Sequence, residues 1–139
     1  MKKLLLPLCV LCVLALNIPA SGQKPLPDKS SIADIAGKSK VYIDVVDPSD
    51  RFKGVFKKSG LIEANKADEA DFVIEYRQIG ETVYVTDFRI PQQTGSLTVY
   101  YLRDAKKVIV WQDTATDGGR HPSPDDKLLK RFLKDRDKK

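Results

Sequence analysis

The chain has 139 residues, a length that suits one globular domain and is short for two. It carries a net charge of +5 and a single histidine, which excludes a metal site built on two histidine ligands. The positive charge is concentrated in residues 127–139, which contain seven basic and two acidic side chains, so it belongs to one element and not to the whole surface.

The first 22 residues have the pattern of a secretory signal peptide. A methionine and two lysines precede an apolar run, and the small residues Ala20, Ser21 and Gly22 follow it at the spacing of a cleavage site. The apolar run is too short for a membrane anchor. We therefore predict an exported protein, periplasmic or secreted, which begins after Gly22. Both cysteines, Cys9 and Cys12, leave with the signal peptide, so the mature chain is predicted to contain no cysteine.

Residues 23–39 contain two prolines and are predicted to form a flexible N-terminal arm, with a helical turn between residues 30 and 36. A single domain then spans residues 40–139. Its first strand is predicted at residues 40–46, where apolar and other side chains alternate.

A helix is predicted at residues 48–58. Asp47 can cap it, Pro48 suits the first helical position, and Gly60 is the expected stop. Apolar residues recur inside it at helical spacing, which indicates that one face is buried. A short strand is predicted to begin at residues 61 and 62.

The buried centre of the sheet is predicted at residues 71–77, which are rich in β-branched and aromatic residues and lack glycine and proline. Further strands at 82–90, 97–102 and 108–112 are predicted to form an antiparallel meander. Residues 91–95 are expected to interrupt it, because they contain a proline and a glycine.

The last hairpin predicts a second apolar face of the sheet. With Ala105 and Lys106 as a two-residue loop, Tyr100 lies opposite Trp111 on one face. A bulged three-residue loop is the alternative and would shift the pairing by one residue. The second face is then either covered by the chain's own arm or preceding strand, or free for a homodimer or a partner. Tyr100 and Trp111 are therefore candidate interaction residues, with a simple packing pair as the alternative.

A second helix is predicted at residues 125–136, with Ser123 as its cap. At 3.6 residues per turn, four basic side chains line up opposite its apolar face. These are Lys127, Arg131, Lys134 and Lys138. This basic row is either the solvated back of the helix or a contact for an anionic partner, such as an envelope protein, a lipid headgroup or a glycolipid. Nucleic acid is disfavoured, because no stacking aromatic residues accompany the charges.

Residue types with catalytic chemistry are sparse. Asp113, Asp117 and His121 lie four apart, but Gly118 and Gly119 predict a loop, where this spacing does not align three side chains. The remaining carboxylate pairs are interpreted as surface charges. We predict no catalytic residue, no metal site and no cofactor, and therefore a protein that is not an enzyme.

Several short motifs follow one another along the chain. They are Ala70-Asp71-Phe72-Val73-Ile74, Leu97-Thr98-Val99-Tyr100, Val108-Ile109-Val110-Trp111 and the basic helix at 128–134. This arrangement resembles small exported bacterial proteins of unknown function, and its layout is similar to periplasmic α/β modules of envelope-assembly lipoproteins and of the curli secretion channel. The hairpin of the resembling proteins usually carries a glycine where this chain has Ala105, Lys106 and Lys107. The resemblance implies a non-enzymatic envelope module and brings no catalytic residues.

The sequence thus predicts one two-layer α+β domain with the order β-α-β-β-β-β-α. A mixed or antiparallel sheet of four to five strands carries both helices on one face. The predicted function is a non-catalytic interaction module of the bacterial cell envelope. The alternatives are a small secreted hydrolase or metal-dependent enzyme, and a secreted binder or inhibitor.

Overall fold

The computed structural model describes residues 30–84, 90–118 and 123–138. Within these ranges it contains five strands and two α-helices. In chain order they are β1 (Lys40–Asp44), α1 (Asp50–Lys58), β2 (Ile62–Glu63), β3 (Phe72–Tyr84), β4 (Ile90–Arg103), β5 (Lys106–Gly118) and α2 (Asp125–Arg136). The predicted order β-α-β-β-β-β-α is confirmed. The predicted signal peptide lies outside the described residues.

The strands form one mixed sheet in the order β2-β1-β3-β4-β5. β1 pairs in parallel with β2 and β3, and α1 supplies the crossover that parallel neighbours need. β3, β4 and β5 form the predicted antiparallel meander. The segment predicted as the centre of the sheet is the first half of β3, where Phe72, Val73 and Ile74 are at most 1% exposed.

Both helices cover the same face of the sheet, toward which alternate strand residues point. The buried side chains of this core are Ile35, Val41, Phe52, Phe72, Ile74, Tyr76, Leu97, Val99, Val110, Ala115, Leu128, Leu129 and Phe132. Ile35 comes from a 3-10 turn at Ile32–Ile35, inside the segment predicted as an arm, so the core includes a residue that precedes the predicted domain start. None of the helices in the described residues is long and apolar enough to span a membrane.

The meander has fewer breaks than the sequence predicts. β3 passes Gly80 with only a bulge between Gln78 and Gly80, and β4 runs through the whole segment 91–95. The predicted interruption there is therefore wrong. Within the described residues the pairing of β4 with β5 reaches Gln92, so Pro91 is paired there with β3 alone, a position that tolerates proline.

The hairpin between β4 and β5 differs from the prediction in its loop. Arg103 pairs with Lys106, so the two loop residues are Asp104 and Ala105, with φ angles of 51° and 59°. Two positive φ values are what a type I′ turn requires. The predicted loop of Ala105 and Lys106 is therefore wrong. The sequence did not reveal the turn, because neither Asp104 nor Ala105 is the glycine or asparagine that normally marks one.

A bulge at Val110 then changes the pairing further along the hairpin. Tyr100 lies opposite Ile109, whereas Trp111 lies opposite Val99. Because the bulge adds one residue to β5, the two aromatic side chains fall on opposite faces of the sheet. The predicted pairing of Tyr100 with Trp111 is therefore wrong.

Replacing Ala105 by glycine is expected to stabilise the domain by about 0.5–1 kcal/mol, because an L side chain at positive φ is strained and glycine is not. Urea denaturation measures the effect. The matched control is Lys106→Gly, in the paired part of β5, where glycine is expected to destabilise the strand. A lower denaturation midpoint for Ala105→Gly would contradict the turn geometry.

The two helices begin side by side and are joined by a buried carboxylate. The Asp125 side chain accepts from the Ser49 backbone N–H at 2.8 Å and from the Ser49 hydroxyl at 2.7 Å. Ser49, rather than the predicted Asp47, caps α1, since its Oγ accepts from the Phe52 N–H. Ser123 does not cap α2 as predicted; its Oγ lies 3.5 Å from the Tyr76 hydroxyl instead.

Candidate interaction surfaces

The basic row of α2 is largely engaged with acidic side chains of the same chain. Lys127 lies 3.4 Å from Asp117 and Arg131 lies 2.9 Å from Asp113, both across to β5. Lys138, just after the end of α2, binds Asp135 of that helix at 2.7 Å. Lys134 is exposed. The row therefore attaches α2 to β5 as well as facing solvent.

These contacts leave the basic row accessible. The side chains of Lys127 and Arg131 remain 44% and 49% exposed. Ion pairs at such exposure contribute little to stability, since water and salt screen the charges. Both side chains can therefore contact a partner without unfolding the domain.

Trp111 is a packing residue and not part of a shared site with Tyr100. Its ring lies 5.6 Å from the ring of Phe132 on α2, and its Nε1 donates to Asp135 at 3.1 Å. Hydrogen bonds from Lys138 and from Trp111 hold the pKa of Asp135 below its usual value. Trp111 thus fixes α2 on the sheet, which is the role of a core aromatic with a polar edge.

Tyr100 lies on the open face, by which we mean the side of the sheet opposite the helices. It is only 6% exposed, between Val73 and Ile109 on the neighbouring strands. The Lys107 ammonium lies 4.4 Å from the centre of its ring and 3.0 Å from Glu75. This hydrogen bond to Glu75 raises the pKa of Lys107.

The charges of the open face form one connected group. Arg77 lies 3.5 Å from Glu75 and 2.6 Å from Asp44, so ion pairs run from β1 across β3 to Lys107 on β5. The apolar side chains Leu102 and Ile109 are 42% and 48% exposed beside this group. The open face is thus closed over Tyr100 by charged side chains. Of the apolar side chains predicted for this face, Tyr100, Leu102 and Ile109 lie on it, whereas the bulge places Trp111 on the helix side.

Two segments were predicted to cover the open face, the arm at residues 23–39 and the strand at residues 82–90. The described parts of both segments lie elsewhere. Residues 30–39 reach the edge of β5, where the Ser30 hydroxyl donates to the Ile109 carbonyl at 2.6 Å, and Ile35 is buried on the helix side. The chain on either side of residues 85–89 continues β3 and β4 within the sheet. Residues 23–29 and 85–89 lie outside the described part.

The outer edge of β5 is the second notable surface, because β5 is the last strand of the sheet. The Thr114 N–H donates to the Asp113 carboxylate at 2.8 Å, and the Thr114 carbonyl accepts a long contact of 3.4 Å from Arg131. Side chains thus bind both backbone groups of Thr114. In an antiparallel strand both groups of one residue point to the same side, so Thr114 faces away from the sheet.

The acidic residues considered for metal binding lie on β5. Asp113 and Asp117 lie within a strand and not on a helix. Both bind basic residues of α2. His121 lies outside the described residues. In residues 30–84, 90–118 and 123–138 no group of three or more metal-binding side chains is found.

Two further cavities adjoin the helices. A groove of 570 Å³ between α1 and α2 has Val55 and Leu133 in its lining, together with the paired Asp126 and Lys130. A cleft of 380 Å³ near the helix starts is lined in part by Tyr76, whose pKa is raised by burial.

The fold defines a two-layer α+β domain with a five-stranded mixed sheet. No protein-family model matches the sequence, and no curated protein matches it. The structure is similar to a minor lipoprotein from Acinetobacter baumannii, with 14% identity, a TM-score of 0.38 and coverage of 70% of this chain and 79% of the other. It is also similar to a hypothetical protein from Chlamydia trachomatis, with 10% identity, a TM-score of 0.37 and coverage of 70% and 92%. At these TM-scores neither likeness carries an argument about function.

Proposed function

We propose that the protein is a non-catalytic interaction module of the bacterial cell envelope, and that it binds a protein partner along β5 and α2. The observation that carries the proposal is the position of two exposed cations, Lys127 and Arg131, directly beside the edge strand of the sheet. A strand edge offers backbone hydrogen bonds and the cations offer charge, a combination that suits protein recognition.

The most buried carboxylates among the described residues have structural roles, which supports a binding protein over a hydrolase. Asp125 is 1% exposed and accepts hydrogen bonds from Ser49 at the start of α1. Asp126 is 5% exposed and binds Lys130 one turn later at 2.9 Å. A general acid or base must reach a substrate atom, and these two groups are committed to the protein itself. The envelope location rests on the predicted signal peptide.

A crosslinked pull-down from bacterial envelope extract tests the proposal, with residues 23–139 as the bait. The test bait carries Lys127→Gln and Arg131→Gln, which remove the charges without placing new acids next to Asp113 and Asp117. The control bait carries Lys53→Gln and Lys57→Gln on α1 and loses the same amount of charge.

We expect a partner that is captured by the unchanged and the control baits and lost by the test bait, because only the test bait alters the surface beside β5. No partner on the unchanged bait would contradict the interaction module. Equal capture by all three baits would contradict the assigned surface and favour the open face around Tyr100.

A further inference from the structure

The partner's binding segment can be described from the edge of β5. We infer that the outer edge of β5, at residues 112–116, takes up an extended acidic segment of the partner as a sixth strand of the sheet. The inference rests on the proposed function and names the chemistry of its partner. It is carried by the backbone at Thr114 and by the charges of α2.

The backbone at Thr114 is available in the required direction. Its N–H and carbonyl point away from β4, and within the described residues the side chains of Asp113 and Arg131 bind them. The carbonyl contact is 3.4 Å long, which is a weak hydrogen bond. An incoming strand offers the carbonyl a shorter hydrogen bond and the N–H a backbone acceptor in place of the Asp113 side chain, as strand addition does at other sheet edges.

The charges beside this edge select an acidic segment. Asp113 and Asp117 are four residues apart on β5, or about 13 Å along a strand, and each holds one cation of α2. Side chains on the same face of an added strand repeat every second residue, so acids at positions i and i+4 reach both cations. The Arg131 guanidinium has five N–H donors and can donate to a second carboxylate while keeping its bond to Asp113.

The same charges argue against a second copy of the chain at this edge. A two-fold axis perpendicular to the sheet, which pairs β5 with β5 in antiparallel, would place the basic row of one α2 beside that of the other, and residues 127–139 carry seven basic and two acidic side chains. Like charges facing each other across an interface cost free energy. An acidic extended segment replaces that repulsion by attraction.

Synthetic peptides test the inference on residues 23–139 of the protein. The probe is a short peptide of valine and threonine with glutamates at positions i and i+4, and its control has the same composition with glutamates at i and i+3. Two N-methylated forms of the probe, blocked at alternate residues, lose the hydrogen bonds of one edge or the other. Amide NMR shifts of the protein report binding and its location.

We expect shifts centred on residues 112–116, with the control peptide and one of the two methylated probes binding about tenfold or more weakly. Arg131→Met is expected to weaken binding by a similar factor, whereas Lys57→Met on α1 is expected to leave it unchanged. Thr114→Pro removes the outward N–H without touching a bond to β4 and is expected to abolish binding.

Equal binding of both methylated probes would overturn strand addition, since charge alone would then account for the affinity. Shifts elsewhere, or no binding of the probe, would also overturn it. Concentration-dependent dimerisation through β5 in size-exclusion chromatography would show that a second copy is the occupant. A partner captured in the pull-down while the probe fails here would leave the proposed function standing and reject only this inference.

Discussion

Replacing Asp125 by alanine is expected to destabilise the domain by about 3 kcal/mol, because the change leaves the Ser49 N–H and hydroxyl without their charged acceptor. Asp125 is 1% exposed, so its carboxylate binds these donors away from bulk water. A loss of this size is a large fraction of the stability of a small domain. The Asp125 carboxylate also accepts from the Asp126 N–H at 2.7 Å, so the substitution removes a hydrogen bond at the start of α2 as well.

Urea denaturation measures the loss, with Ser49→Ala as the matched control. That control removes the cap of α1 and one of the two bonds to Asp125, but it keeps the backbone N–H bond, so a loss of about 1 kcal/mol is expected. The double variant should lose less than the sum of the two single changes, because both act on the same contact. An Asp125→Ala variant as stable as Ser49→Ala would refute the linkage between the helix starts.

Replacing Gly95 by alanine is the second large expected effect. A Cβ built at Gly95 would lie 2.6 Å from Cζ and 2.5 Å from Cε2 of Tyr76, far inside normal contact distance. Tyr76 is 9% exposed and packs in the core, so its ring can move only by disturbing its neighbours. We expect a loss of about 2–3 kcal/mol from this overpacking.

Thermal or urea denaturation checks this expectation, and Gly54→Ala provides the control. A Cβ at Gly54 meets nothing within 4 Å, and alanine favours the helix, so that variant should gain about 1 kcal/mol. Combining Gly95→Ala with Tyr76→Leu should recover part of the loss by making room. Unchanged stability of Gly95→Ala alone would show that the Tyr76 ring is free to move away.

The fold was predictable where a pattern repeats over many residues. The alternation at β1, the helical spacing in α1 and α2 and the apolar strand predicted at residues 71–77 each depend on local sequence, and they are confirmed. Each pattern places one face of an element in the core, and the core fixes the arrangement of the layers. The candidate basic row was found for the same reason.

The pairing details were not predictable, because they depend on single residues. A type I′ turn at Asp104 and Ala105 lacks the usual glycine or asparagine signal, and the bulge at Val110 has no marker in the sequence. Because of the turn and the bulge, Trp111 lies on the helix side of the sheet and not on the open face where it was predicted. The partners of Lys127 and Arg131 lie on another element, so only the folded structure reveals that the basic row borders an edge strand.

The contact between Asp125 and Ser49 also has a consequence for the order of folding events. The carboxylate that completes the start of α1 comes from a helix that follows all five strands in the chain. The same helix supplies Leu128, Leu129 and Phe132, each 0% exposed, to cover the sheet. A growing chain that has not yet released α2 therefore lacks both the Asp125 carboxylate that binds Ser49 and the side chains that cover the sheet, so stable tertiary structure forms late. The protein is predicted to be exported, and export moves a polypeptide across the membrane as an extended chain. The late folding keeps the chain unfolded until α2 has been synthesised.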